Sequence, residues 1–308
     1  MHAMRVRLWI RALRAPFFQA VLVPLLLGTA AAWYHTGEFY LGYFLLAMVA
    51  VVSVHAGTNL TNDYFDHKSG ADALNKEFTR FSGGSRVIQE GLIAPETIFR
   101  VAVSFFGLAA LIGLYLVYSR GCLILAIGVV GIASGYFYTA SPVKLGYRGW
   151  GEFIVGLNCG PLVTMGAYFV QSRDLNPAVL LSSVPVGYLV AAILYVNQFP
   201  DSSSDRAVNK VHLVARMRPE KAIKGYYVLI ISAYSVTILG CALRIIPWMC
   251  LFSLLTVPLA WRTARAAGKN YATGSGKQML PAMAGTVALH LSTGLLLSGG
   301  YLVAGILK

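Results

Sequence analysis

Nine stretches of this chain, at about 16–34, 40–62, 98–118, 121–140, 150–171, 178–199, 225–243, 246–262 and 282–306, are almost free of charge. Roughly 20 apolar residues in a row are what a helix needs to cross the hydrocarbon of a bilayer. In lipid, every backbone amide must find its partner inside the structure, so only helices and closed barrels span it. No alternating strand pattern suggests a barrel. The sequence therefore predicts an all-α, polytopic membrane protein with nine transmembrane helices. Composition agrees, since 12% of residues are charged where a soluble protein carries about 25%, and the mean hydropathy is +0.64.

The net charge of +13 could suggest nucleic acid, but the basic residues sit in loops between apolar runs. With the N-terminus in the cytoplasm, only Arg120, Arg173, Arg244 and Lys308 fall on the far side, leaving 21 of the 25 Lys and Arg on the cytoplasmic side. That bias is the positive-inside pattern, and it predicts a cytoplasmic N-terminus. Nucleic acid is not an expected partner. The first apolar run follows Arg5, Arg7, Arg11 and Arg14 and is long enough to stay as a helix instead of a cleaved signal. Cys122, Cys159, Cys241 and Cys250 lie scattered in apolar segments without metal-ligand spacing and read as buried, inert thiols.

Five of only 12 acidic residues are concentrated in two cytoplasmic loops. "NLTNDYFDHKSGAD" (59–72) holds Asn59, Asn62, Asp63, Asp66 and Asp72, and "NQFPDSSSDRAVNK" (197–210) holds Asn197, Asp201 and Asp205. Spacings of three and four put side chains on one helix face, so each motif presents a column of oxygen ligands at a helix end. Pro200 predicts that the second helix bends or ends near Phe199. Facing clusters of carboxylates repel unless cations join them. Mg²⁺ typically takes one or two carboxylates together with substrate phosphates, so the pair of motifs reads as a magnesium–diphosphate site. The motifs stand four spans apart in the same orientation. A parallel duplication follows: two four-helix halves, about 1–140 and 141–262, plus a ninth helix at about 282–306, all within one domain over 1–308.

With these motifs the chain resembles the UbiA superfamily of intramembrane aromatic prenyltransferases over nearly its whole length. "GGSRVIQEGLI" (83–93) and "YTASPVKLGYRGWGE" (138–152) fit the same family. "GGSRVIQEG", "LGYRGWGEF" and "NCGPL" look most similar to the branch that prenylates 1,4-dihydroxy-2-naphthoate on the route to menaquinone, although Pro200 stands where that branch often has arginine. The resemblance implies helices around a central cavity, a cytoplasm-facing active site in the cell membrane, two Mg²⁺ ions, an isoprenyl diphosphate donor and an aromatic or lipid acceptor. Residue by residue, it implies that Asn59, Asp63 and Asp66 hold one ion and Asp201 and Asp205 the other, with Asn197 supporting the second cluster. It further implies that Arg86, Lys144 and Lys68 contact phosphate, that Tyr138 stands near the leaving group, and that Asp72 takes the acceptor's proton.

Ionisation of such a donor gives an allylic cation, which aromatic faces stabilise and water destroys. Tyr136, Tyr138 and Tyr195 are candidates for that wall, with interfacial anchoring as the competing role. His55 and His290 read as packing histidines, with a place at the cavity as the other reading for His55. Arg14 reads as a membrane anchor, with contact to phosphate as its other role, and Glu152 as a partner for Lys144 or Arg148. An alternative acceptor is geranylgeranylglyceryl phosphate, for which Arg206, Lys210 and Arg216 would supply extra positive charge. A membrane transporter is the alternative from another class, but it calls for polar residues at the bilayer midplane. A CDP-alcohol phosphotransferase is excluded by the missing DGxxAR signature.

Overall fold

The computed structural model describes residues 2–308, and all regular structure among them is helical. An amphipathic helix α1 (His2–Ala12) precedes α2 (Ala15–Thr36), α3 (Leu41–Ser69), α4 (Pro95–Arg120), α5 (Leu123–Tyr136), α6 (Gly151–Ser172), α7 (Pro177–Ala207) and α8 (Pro219–Ala242). A 3₁₀ segment (Trp248–Thr256) then leads into α9 (Val257–Asn270), and α10 (Gly276–Ile306) closes the fold. Helical segments thus stand at all nine expected positions. Seven of them, α2, α3, α4, α6, α7, α8 and α10, are long and apolar enough to cross a membrane by themselves. At 14 residues, α5 is apolar but reaches only about 21 Å. The eighth stretch differs from a plain span: its apolar start winds as 3₁₀, and α9 is two-faced, burying Ala260, Thr263 and Ala267 while carrying Arg262, Arg265 and Lys269.

The helices pack in a ring, in which α10 returns to α2. Helix α7 is its axis, with 72% of its apolar window buried against 22% for α3 and for α4. One core joins α7 to α8, α9 and α10 through Leu189, Phe199, Tyr226, Met279 and Met283, and another joins α2 to α6, α7 and α10. Of the two outcomes expected at Pro200, the helix does not end there: α7 runs through Pro185 and Pro200 to Ala207. Proline removes one helical hydrogen bond, at Pro200 the one to the Val196 carbonyl, yet the helix continues on both sides of it. Phe199 and Pro200 are buried, and the Ser202 hydroxyl bonds back to the Gln198 carbonyl at 2.6 Å.

Opposite ends of the ring differ in kind. At one, Arg120 donates to the last carbonyls of α6, Val170 and Gln171, at 2.6 Å each, meeting groups a helix C-terminus leaves unpaired. At the other, loops 70–94, 137–150 and 208–218 gather over the ends of α3 and α7, where both acid motifs lie. Cys122 corrects the reading of the thiols, because it stands exposed at the α4–α5 turn; Cys241 and Cys250 are buried.

Candidate active site

Since α3 continues to Ser69, the part of the first motif from Asn59 to Asp66 is helical and its face points inward, while Gly70 at φ +83° ends the helix and Asp72 lies beyond it. Asp63 is 2% and Asp66 4% exposed. The second motif follows the same rule on α7, where Asn197 and Asp205 are buried. Loop residues from far along the chain close over both. Asp63 accepts from Arg14 Nη2 at 2.9 Å and from the Ser85 amide at 3.2 and 3.3 Å. Asp66 accepts from Lys210 Nζ at 2.8 Å, the Tyr147 hydroxyl at 2.9 Å and Asn62 Nδ2 at 3.0 Å. Asp201 takes Asn75 Nδ2 at 2.8 Å. Asp205 lies 3.7 Å from Lys210 Nζ and 3.3 Å from His212 Nε2. Lys210 therefore touches an acid of each motif, and Asn75 ties the first loop to the second motif.

Asp72 sits beside the cluster, buried, accepting from Gln89 Nε2 at 3.0 Å. Burial, with the charges of Asp66 and Asp63 added, pushes its carboxyl up to about 8. Gly84 makes room for it: at φ +76° a side chain is strained, and a Cβ there would stand 2.7 Å from Asp72 Oδ2. Burial lowers the Lys210 ammonium, but Asp205 and Asp66 outweigh it and hold the group well above its ordinary value, so it is charged. Burial likewise opposes the charge on Arg14, and Asp63, Asp72 and Asp66 overcome it. The Tyr138 phenol is pushed up by burial and then by Glu152, which keeps it neutral and able to donate.

Beneath the acids opens a cavity of about 340 Å³, lined by α2 to α7 together with Phe81, Lys210 and His212. No residue of α8, α9 or α10 reaches it, so the cavity belongs to six helices and not to all nine. Arg14, Asn59, Tyr138, Asn197, Gln198 and Asp205 rim the polar end, while valines, leucines and alanines line the rest. Tyr138 is held there because Gly146 and Gly151 let the ring approach; a Cβ on either would meet it at 2.9 or 3.0 Å.

These residues suit a divalent cation and a diphosphate. Four buried acids, Asp63, Asp66, Asp72 and Asp205, and the half-buried Asp201 have only Arg14 and Lys210 as fixed countercharges, and buried charge requires pairing. The amide oxygens of Asn197 and Gln198 are buried at the rim without a partner. Among the described residues, no three acidic, His or Cys side chains converge on one point. That matches an ion which completes its shell from substrate phosphate and water.

Several expected residues lie elsewhere. Lys68 is exposed and stacks its ammonium 5.4 Å from the Tyr64 ring, since it is five positions past Asp63 and so about 140° around the helix. Arg86 turns to the Asp72 carbonyl and the Phe78 ring, bracing the loop from outside the cavity. Lys144, at φ +48°, lies over Tyr147, 5.0 Å from the ring centre. Of the three tyrosines, only Tyr138 lines the cavity. Tyr195 is locked in the α7–α10 core, and Tyr136 packs on Phe65 and Phe106. Glu152 accepts from the Leu213 amide at 3.1 Å and touches neither Lys144 nor Arg148. Arg206 and Arg216 bond backbone carbonyls, so of the three basic residues considered for a phosphate-bearing acceptor only Lys210 enters the site. His55 lines the cavity edge-on to Phe18, and His290 is buried beside Gln19.

Sequence reasoning missed three contributors, Arg14 as an ion-pair partner, His212 and Asn75, and it named Lys210 only as extra charge for a phosphate-bearing acceptor, not as the bridge between Asp66 and Asp205. Arg14 carried one signal, as the last cation before the first span; the others are brought in by loops that no periodicity describes.

The sequence profile of the UbiA prenyltransferase family matches residues 21–278. The 2-carboxy-1,4-naphthoquinone phytyltransferase of Synechocystis is 28% identical, across 97% of this chain and 94% of that protein. The 1,4-dihydroxy-2-naphthoate octaprenyltransferase of Bacillus subtilis is 29% identical, across 92% and 89%. Among solved structures, a UbiA homologue from Archaeoglobus fulgidus bound to DMAPP and Mg²⁺ superposes with a TM-score of 0.63 at 16% identity, over 94% of this chain and 99% of that one, and so shares the fold. From the paired acid motifs above an apolar cavity and the match over most of its length, this multi-pass membrane chain belongs to the UbiA prenyltransferase family.

Proposed function

We propose that this protein transfers an isoprenyl group from a polyprenyl diphosphate to 1,4-dihydroxy-2-naphthoate, the acceptor that the Bacillus subtilis relative's name gives for that protein. The observation that carries the reading is the pair of acid-bearing helix ends joined by Lys210 directly above an apolar cavity. Asn59, Asp63 and Asp66 from α3, and Asp201 and Asp205 from α7, would hold two Mg²⁺ ions, with Asn197 beside them. Bound there, the ions would supply positive charge to the diphosphate as the C–O bond breaks. Arg14 and Lys210 are placed to bind diphosphate oxygens, and Tyr138 to donate to the leaving group. The cavity walls exclude water from the allylic cation. Asp72, buried beside the cluster with its carboxyl pushed up to about 8, would accept the ring proton in its ionised form, which gains population as pH approaches 8.

The reading extends to topology. Nine membrane crossings, with α5 and the Trp248–Asn270 segment included, put the motif-bearing end and the N-terminus in the cytoplasm, which the 21-to-4 distribution of basic residues supports. The four-helix halves, about 1–140 and 141–262, would then each contribute one acid motif, with the last helix added.

Purified protein incubated with Mg²⁺, radiolabelled geranylgeranyl diphosphate and 1,4-dihydroxy-2-naphthoate tests the proposal. Label is expected in a prenylated naphthalene product and absent when EDTA replaces Mg²⁺. Transfer to geranylgeranylglyceryl phosphate alone would move the protein to ether-lipid synthesis. No transfer to any aromatic or glyceryl acceptor would overturn the enzyme reading.

A further inference from the structure

Asn158 lies in an unusual stretch of α6, where residues Asn158–Leu162 form a π turn containing Pro161. Proline has no amide to give to the α-helical ladder. Gly160 meanwhile presses against α7 so closely that a Cβ would stand 2.5 Å from Gly187 Cα. The bulge is pinned on one side, and its opposite side faces the cavity with Asn158 and Cys159. Single π turns inside helices frequently accompany functional sites.

The hydrogen bonds fix which way the Asn158 amide points. The Ser134 hydroxyl has one proton, and its oxygen lies 2.6 Å from the Val130 carbonyl, which can only accept. Ser134 Oγ must therefore accept from Asn158 Nδ2, at 2.6 Å. Asn158 Oδ1 is left on the other side of the amide, shielded from solvent and without a partner. It is an acceptor that the protein itself does not satisfy, on a residue that lines the cavity together with Gly131, Ile154, Val155 and Leu162. A buried acceptor in such surroundings calls for a donor.

Of the two substrates, only one brings a donor. An isoprenyl chain has no O–H or N–H, and an ionised diphosphate only accepts. The aromatic acceptor carries hydroxyls, and in a 1,4-dihydroxy-2-carboxylate the hydroxyl beside the carboxylate is engaged internally, which leaves the remote one free. We propose that Asn158 Oδ1 accepts the hydrogen bond of this remote ring hydroxyl, making Asn158, oriented by Ser134, a specificity residue for the reduced, hydroxyl-bearing ring. The assignment rests on the aromatic-acceptor reading above. An oxidised quinone presents a carbonyl at that position, which would oppose the amide oxygen, and a phosphate would do the same. A site built to bond a substrate hydroxyl rejects analogues that lack it, because its own polar group is then left unpaired.

The test measures binding instead of turnover. Protein in nanodiscs with Mg²⁺ and unreactive geranyl thiodiphosphate is titrated with 4-hydroxy-2-naphthoate and with 4-methoxy-2-naphthoate, which lacks the proton. The wild type is expected to favour the hydroxy compound by roughly tenfold to a hundredfold. Asn158→Leu, close in size but without the oxygen, is expected to bind both alike while binding the thiodiphosphate as the wild type does. Asn158→Ala carries the same comparison if the leucine variant does not accumulate folded. A preference that survives loss of the amide overturns the role of Asn158 and leaves the aromatic-acceptor reading standing. Failure of the wild type to bind either naphthoate overturns both.

Discussion

Asp63 and Lys68 are five positions apart on α3, yet one is 2% exposed beside Arg14 and the other points away from the cavity. Their substitution should separate cleanly. Asp63→Ala and, on α7, Asp201→Ala are expected to reduce prenyl transfer below detection, whereas Lys68→Ala keeps it within about twofold of wild type, a surface change of small energetic effect. An inactive Lys68→Ala would show that the helix faces are misassigned. Arg14 gives a second test, because it neutralises Asp63 when no divalent ion is present. Removing one member of a buried pair costs about 3–5 kcal/mol. Arg14→Met should therefore unfold at lower temperature in EDTA and recover part of the loss in Mg²⁺, as followed by thermal denaturation in detergent. Asp72 sets the pH behaviour. Its carboxyl stands near 8 when folded and near 4 when unfolded, so the native state holds the extra proton between those values. The stability it contributes is complete below about pH 4 and is lost as pH rises towards 8. Metal-free protein should thus lose thermal stability as pH rises from about 4 towards 8, and Asp72→Asn should flatten that decline. An unchanged slope would assign the titration to another group.

At the scale of elements, helix α3 was readable almost entirely, since an uncharged run followed by acids at three- and four-residue spacing leaves few other ways to fold. Helix α7 was readable in its face but not in its length: local rules bend or end it at Pro200, whereas it continues to Ala207 past a Phe199 packed into the core with α8 and α10. The loops were the opaque part. Lys210, His212 and Asn75 reach the acids through turns whose geometry depends on tertiary contacts, so spacing alone says nothing about them. Loop 70–94 shows how such a turn is specified. Gly84 adopts φ +76° with Asp72 against its α-carbon, and Ser85 next to it donates its amide to Asp63. A left-handed backbone costs a non-glycine residue roughly 1–2 kcal/mol, and the added methyl would displace Asp72 as well. Gly84→Ala is expected to lower the melting temperature by a few degrees and to impair turnover far more than that loss of stability accounts for. Wild-type kinetics in this variant would mean that Asp72 has no part in the reaction.

For the molecule as a whole, the acids bind two substructures to each other. One motif sits on α3, whose strongest partner is α4, and the other on α7, which packs into the α8–α10 core. Across the gap between them run the Lys210 bridge and the Asn75–Asp201 bond, with Arg14 bracing Asp63 from the start of the chain. Carboxylates that repel each other contribute most to the folded state when a cation and a polyanion lie between them. Binding and stability are then coupled by mass action, about 2.7 kcal/mol for a ligand at a hundred times its dissociation constant. Mg²⁺ alone leaves the diphosphate positions empty, and a diphosphate alone adds negative charge to a cluster of acids. Each by itself should therefore raise the melting temperature little, while Mg²⁺ and geranyl thiodiphosphate together raise it by several degrees, more than the sum of the two. Additive shifts would argue that ion and diphosphate bind at separate places, and the paired motifs would then have to be explained as two independent sites instead of one.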